Sequence, residues 1–240
     1  MLSYNTPVAV NGQRPSSAGA MSSGRQSIPS SPTAARIQAA LSNSIMINNA
    51  TPTAEAQAKD QHIWLVTGPA GCGKSTVAKH IADSLNFEFV EGDEFHPESN
   101  VEKMKNGIPL TDADRWDWLT VLREESIQRL SGGKTGVVLT CSALKRKYRD
   151  VIRVAPYFTP NVHLHFIYLD ATEEVLLKRV AARQNHFMGA NMVHSQFEVL
   201  ERPKSDETDV VTINVDRTLD AVKEDALDKV VKTIGDIQSS

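Results

Sequence analysis

The nine residues GPAGCGKST, from Gly68 to Thr76, constrain this chain more than any other stretch of it. Gly68, four further residues, then Gly73, Lys74 and Ser75 is the spacing of a phosphate-binding loop, or P-loop, and each residue type has a task there. Glycines let backbone N–H groups converge on one anion, and the helix that follows turns its positive dipole end toward the same point. Gly68, Ala70, Gly71, Cys72, Gly73, Lys74, Ser75 and Thr76 are therefore expected to cradle a nucleotide's phosphates. Lys74 reaches the β- and γ-phosphates, and the Ser75 hydroxyl takes a magnesium position. IWLVT, just before the loop, is an apolar run of strand formers, as in a strand buried on both faces. KSTVAKHIADSLN, just after it, spaces Val77, Ile81 and Leu85 four apart on one helical face. The plain alternative is a glycine turn joining strand to helix.

From residue 61 onward the same alternation continues. Apolar runs at IWLVT, FEFVEGD, GVVLTCS, VHLHFIYLD and DVVTINV are separated by helical patterns, among them RWDWLTVLREESIQRL, where Leu119, Leu122, Ile127 and Leu130 share a face. This predicts an α/β fold with a parallel sheet sandwiched by helices. Ligands of such sheets gather at the carboxyl ends of the strands.

Polar clusters follow the strands at those ends. VEGDEFHPESNVEKMKNG holds Glu91, Asp93, His96 and Lys103; CSALKRKYRD holds Lys145 and Arg149; DATEEVLLKRVAARQNHFMG holds Arg179 and Arg183, four apart on one helical face. Asp170 and Glu173 are expected to cap that last helix. Each cluster has a second reading. Asp93 also suits a helix cap or turn, and His96 a packed loop histidine. Lys145, Arg146, Lys147, Arg149 and Arg153 also suit a solvated basic face, and Arg179 and Arg183 ordinary salt bridges, with Glu174 as a partner.

The whole chain narrows the classes. A net charge of −3 over 240 residues gives no general case for nucleic acid or an anionic membrane as partner. Two cysteines, Cys72 and Cys141, make neither a metal-ligand spacing nor a disulfide framework, which suits a reducing compartment such as the cytoplasm. No apolar run approaches the eighteen or so residues of a membrane span. Residues 1 to 54 contain no Asp or Glu and are dense in Ser, Pro, Asn and Ala. Such a composition cannot bury enough surface to fold, so residues 1–60 are expected to form a disordered extension ahead of a P-loop domain at 61–240. Arg14, Arg25 and Arg36 give the extension some likeness to a targeting peptide, against which its prolines count.

In order along the chain, GPAGCGKST, VEGDEFHPESNVEKMKNGIPLTDADRWDWL, CSALKRKYRD and NHFMGANMVHSQFEVLE resemble the gluconate kinases, small P-loop enzymes similar in fold to adenylate and shikimate kinases and carrying a mobile lid. The resemblance covers about residues 62 to 235. It implies transfer of the ATP γ-phosphate, with Mg2+, to the 6-hydroxyl of D-gluconate, feeding the pentose phosphate route, by an enzyme that is a homodimer. On it, Lys74, Asp93 and Arg183 are the catalytic residues; Arg179 and Arg183 join the nucleotide site; and Asp93, His96, Lys103, Arg115, Lys145, Arg149, His186 and Gln196 form the acceptor site. An anionic acceptor beside a nucleotide suits such a cationic set. Two departures stand out: related kinases usually carry Asp where this chain has Glu91, and commonly proline where it has Gly189. Among rivals, a switch or motor NTPase is opposed by Thr140, which ends its strand where those proteins place a magnesium-holding acid. A P-loop kinase of another small acceptor, a shikimate-like acid or a nucleoside monophosphate, and a non-catalytic ATP-binding module remain as alternatives.

Overall fold

The structure, a computed structural model, describes residues 59–182 and 190–239. The expected extension lies almost entirely outside these residues, as do Arg183, His186 and Gly189.

Five strands form one parallel sheet: β1 (Gln61–Thr67), β2 (Glu88–Val90), β3 (Gly136–Thr140), β4 (Val162–Asp170) and β5 (Val210–Asn214), in the order β2-β3-β1-β4-β5. All five correspond to the apolar runs of the sequence. The P-loop strand is central: Leu65 pairs with Leu139 on one side and Phe166 on the other. Parallel strands need crossovers, and helices supply them. These are α1 (Lys74–Leu85), α2 (Glu98–Lys105), α3 (Ala113–Leu130), α4 (Arg146–Arg153), α5 (Glu173–Ala181), α6 (Ala190–Glu198) and α7 (Leu219–Gln238).

The sheet has a core on each face because its side chains alternate between faces. Trp64, Val66, Ile167 and Leu169 pack with Val77 and Ile81 of α1 and with Val222, Ala226 and Val230 of α7. Ile63, Leu65, Leu139 and Phe166 pack on the other face with Trp118, Leu119 and Leu122 of α3 and with Tyr148 and Ile152 of α4. Side chains this deeply buried each contribute about 1.5–3 kcal/mol, so β1, with Ile63 to Val66 fully enclosed, is a rigid base for the loop that follows it.

Helix ends follow local chemistry. Asn86 stops α1 in the left-handed conformation (φ 54°), its N–H bonded to the Ala82 carbonyl. The expected cap of α5 needs correction. Thr172, and neither Asp170 nor Glu173, is the N-cap, its hydroxyl accepting from Val175 N–H. Asp170 still belongs to β4, where its carboxylate takes a hydrogen bond from Arg202. Among the described residues no helix is long and apolar enough to cross a membrane.

Candidate active site

The P-loop runs from the end of β1 into α1 and closes tightly on itself. Gly68 has φ +139°, and a side chain there would bring a Cβ within 2.9 Å of the Leu169 carbonyl oxygen, so only glycine fits. Gly71 and Gly73 also take positive φ. Lys74 folds back over the loop, its Nζ donating to the carbonyls of Gly68 (3.0 Å) and Pro69 (3.1 Å). Thr67 ties the loop's base to the segment just beyond β3, its hydroxyl donating to the Ser142 carbonyl.

A cavity of about 330 Å³ opens beside this loop at the carboxyl ends of β1, β2 and β3. Ala70, Gly71, Gly73, Lys74, Ser75 and Thr76 form one wall. Glu91, Asp93 and His96 come from the loop after β2, Met104 from the last turn of α2, Leu110 from the passage between α2 and α3, Arg115 and Trp118 from α3, Ser142 from beyond β3, and Met192 and Gln196 from α6. A phosphate cradle and a carboxylate, Asp93, therefore face one space.

The electrostatics of that space are uneven. Asp93 is open to the cavity but its pKa is raised, first by loss of surrounding water and then by the neighbouring Glu91, with Lys74 pulling the other way. His96 stacks on Trp118 with ring centres 3.9 Å apart, and its Nε2 lies 3.9 Å from the Asp93 carboxylate. Burial, with help from Arg115, pushes the His96 imidazole down to about 4, so near neutrality it is an uncharged hydrogen-bonding group. Arg115 is braced by the carbonyls of Leu110 and Thr111 and lies 5.4 Å from the Tyr148 ring centre. Gln196 reaches from α6 across the mouth of the loop, its Oε1 accepting from the Ala70 N–H at 2.7 Å.

Other expected acceptor residues fall elsewhere. Arg149 is corrected: it is 1% exposed, and its guanidinium is held by Glu207 and by the carbonyls of Ala143 and Glu201. A ligand cannot reach it. Lys103 is bonded to Asp114 (2.6 Å), and Lys145 to Asp112, which also accepts from Lys147 and Tyr148; neither lysine lines the cavity. These donors hold both aspartates well below the ordinary carboxylate range. Glu174 pairs with Lys178 and leaves Arg179 to another task.

That task lies across the loop. A second hollow of about 280 Å³ is lined by Gly71, Cys72, Gly73, Thr76, Arg179, Ala182, Val215, Leu219 and Val222, with Arg179 donating to the Val215 carbonyl at 2.5 Å. Cys72 is buried there and its thiol is pushed up by burial. No local pattern singled out Trp118, Ser142, Met104, Leu110 or Met192 as lining the cavity beside Asp93. Trp118 carried a usable signal, lying one turn before Leu122 on the buried face of α3, but its indole N–H, bonded to the Gly92 carbonyl at 2.8 Å, is a tertiary fact.

A central parallel strand, a phosphate loop at its carboxyl end and a carboxylate facing that loop across one cavity define a P-loop kinase. The comparisons agree and go further. A family profile described as an AAA domain matches residues 63–204. A probable gluconokinase of Schizosaccharomyces pombe is 45% identical over 194 residues, spanning 78% of this chain and 96% of that protein. The thermoresistant gluconokinase of Escherichia coli is 39% identical over 173 residues, spanning 72% of this chain and 95% of that one. A crystal structure of a gluconokinase from Sinorhizobium meliloti superposes with a TM-score of 0.66 at 36% identity, covering 75% of this chain and 98% of that chain. The chain belongs to the gluconokinase family.

Proposed function

We propose that this protein transfers the γ-phosphoryl group of ATP to the 6-hydroxyl of D-gluconate. The observation that carries the chemistry is the shared cavity in which Lys74 and Asp93 face each other; the relatives' activity supplies the acceptor. Phosphoryl transfer has a loose transition state, so catalysis is chiefly positioning and charge neutralisation. Loop amides and Lys74 hold the phosphates. Asp93 orients the acceptor hydroxyl and takes its proton, a task its raised pKa favours.

Arg115 is the cation in the cavity best placed for the acceptor's carboxylate, with neutral His96 and Ser142 for hydroxyls. The second hollow, apolar on its α7 side and closed by Arg179, suits the adenine end of the nucleotide. Magnesium fits the donor set present. Among the described residues no three acids or histidines could hold a metal alone, yet Ser75 and Glu91 offer oxygen ligands in the same cavity, and Mg2+ is typically held by one or two protein oxygens plus phosphates. Ser75 and Glu91 would hold it, and it would supply neutralisation of phosphate charge.

The test is a coupled assay of ADP release with and without gluconate, run beside shikimate and nucleoside monophosphates. Gluconate-dependent release several-fold above every other acceptor is the expected result. Release that ignores gluconate would leave a kinase of another acceptor or an ATP-binding module.

A further inference from the structure

Thr140 ends β3 and is 1% exposed, so its hydroxyl works inside the protein. A hydroxyl has one proton to give and lone pairs to receive. Here the lone pair accepts the Gly92 N–H at 3.0 Å, and the proton goes to the Glu91 carboxylate. One side chain thus holds both the Glu91 carboxylate and the Glu91–Gly92 peptide, one residue ahead of Asp93.

Two further observations show how tightly this turn is seated. The Gly92 backbone lies so close to β3 that a Cβ on it would fall 1.9 Å from the Thr140 carbonyl oxygen, a separation no side chain permits. On the opposite side, the Gly92 carbonyl accepts from Trp118 Nε1 at 2.8 Å. The peptide carrying Asp93 is therefore clamped between the end of β3 and the middle of the active-site wall. Among the described residues the nearest basic side chain to the Asp93 carboxylate is the neutral His96, at 3.9 Å, too long for a hydrogen bond that would fix its direction.

We infer that Thr140 is a positioning residue: its hydroxyl fixes the Glu91–Gly92–Asp93 turn on the strand end and so aims the Asp93 carboxylate at the acceptor hydroxyl, while touching neither acceptor nor nucleotide. The inference rests on the proposed reading of Asp93 as the group that meets the acceptor. Misplacement by about 1 Å in such a site can cost about 100-fold in rate. Loss of the clamp should accordingly act on turnover more than on nucleotide binding.

The experiment compares Thr140→Val, which keeps the shape and loses the hydroxyl, with Thr140→Ser, which keeps the hydroxyl. Both full-length proteins are assayed for kcat and for the KM of ATP and of gluconate, alongside their melting temperatures. Thr140→Val is expected to lower kcat about 10- to 100-fold with the KM for ATP within about twofold, and Thr140→Ser to return kcat to within about threefold of the parent. Because the hydroxyl acts partly through Glu91, the Glu91→Gln and Thr140→Val losses should combine to less than their product. The inference is overturned if Thr140→Val keeps kcat within about twofold, or if Thr140→Ser is as slow as Thr140→Val. A Thr140→Val protein with a lowered melting temperature but parental kcat at low temperature would make Thr140 a stability residue only. A parent protein inactive on gluconate would instead overturn the proposed function.

Discussion

Replacing Arg149 by Met tests whether burial or ligand binding explains that residue. Its Nε and Nη2 each meet a Glu207 oxygen at 2.7 Å, and its Nη1 reaches the carbonyls of Ala143 and Glu201 at 3.2 Å. Without the guanidinium, Glu207, 5% exposed in the parent, keeps among the described residues only Arg153 and the Lys204 N–H as donors. Removing one partner of a buried pair costs about 3–5 kcal/mol. A second route gives a similar size: Arg149, foremost, holds the Glu207 carboxyl down to about 2 from the ordinary 4.5, and each pH unit corresponds to about 1.4 kcal/mol. A domain of this size shifts by about 2–4 °C per kcal/mol, so Arg149→Met should melt about 10 °C lower. Urea unfolding should show the same loss, and the kinetics, measured well below the melting point, should keep the KM for gluconate within about twofold. Replacing Glu207 by Leu in the same protein should recover part of the loss, since an apolar pair leaves no stranded charge. An Arg149→Met protein that melts within about 2 °C of the parent while its gluconate KM rises tenfold would refute the burial argument.

Three further outcomes follow from the site. Asp93→Asn should lower kcat by about 10² to 10⁴ if the carboxylate accepts the hydroxyl proton; steady-state kinetics at saturating ATP will tell, and a loss under threefold would remove Asp93 from that role. Lys74→Ala should abolish transfer yet still be protected by gluconate in a melting experiment, because Lys74 sits on the nucleotide side of the cavity; lost protection would reverse that assignment. Stability should fall with acid. His96 and His165 are both held down to about 4 from 6.5 by burial, so the unfolded chain binds protons between those values that the folded protein refuses. The stabilisation is complete above about pH 6.5 and lost as pH falls toward 4; around His165 the facing groups are His62, His163 and Asp209. His165→Phe should flatten this part of a melting-temperature profile, and an unchanged slope would count against it.

Local patterns in the sequence carried most of the fold. The strand, glycine loop and helix at residues 61–85 were legible because each signal lies within a few residues of the next, and α3 was legible from the spacing of Leu119, Leu122 and Leu130. Arg149 was misread for the opposite reason. In the run KRKYRD it looks solvated, yet helical geometry turns it inward beside Tyr148 and Ile152, toward a partner 58 residues later. Lys103 and Lys145 were misplaced similarly, since Asp114 and Asp112 hold them by bonds that span 11 and 33 residues. Within the site, the Glu91–Thr140 and Ala70–Gln196 contacts span 49 and 126 residues, distances over which no periodicity speaks. The placement of Asp93 and Lys74 beside one cavity was legible because loops that follow parallel strands gather at the carboxyl end of the sheet.

The stack of His96 on Trp118 gives the protein an optical reporter in the cavity proposed for the acceptor. Of the three tryptophans, Trp64 is sealed in the layer under α1 and α7 and Trp116 is partly exposed, which leaves Trp118 as the indole that lines the cavity. A protonated imidazole in ring contact quenches indole emission, whereas a neutral one does so weakly. Because the His96 pKa is kept low partly by the positive charge of Arg115, an anion laid against Arg115 offsets that repulsion and raises the imidazole's affinity for a proton. In buffer held near the His96 pKa of about 4, emission from Trp118 should therefore dim as a carboxylate acceptor enters and recover as it leaves, so that occupancy can be read by light with no label attached.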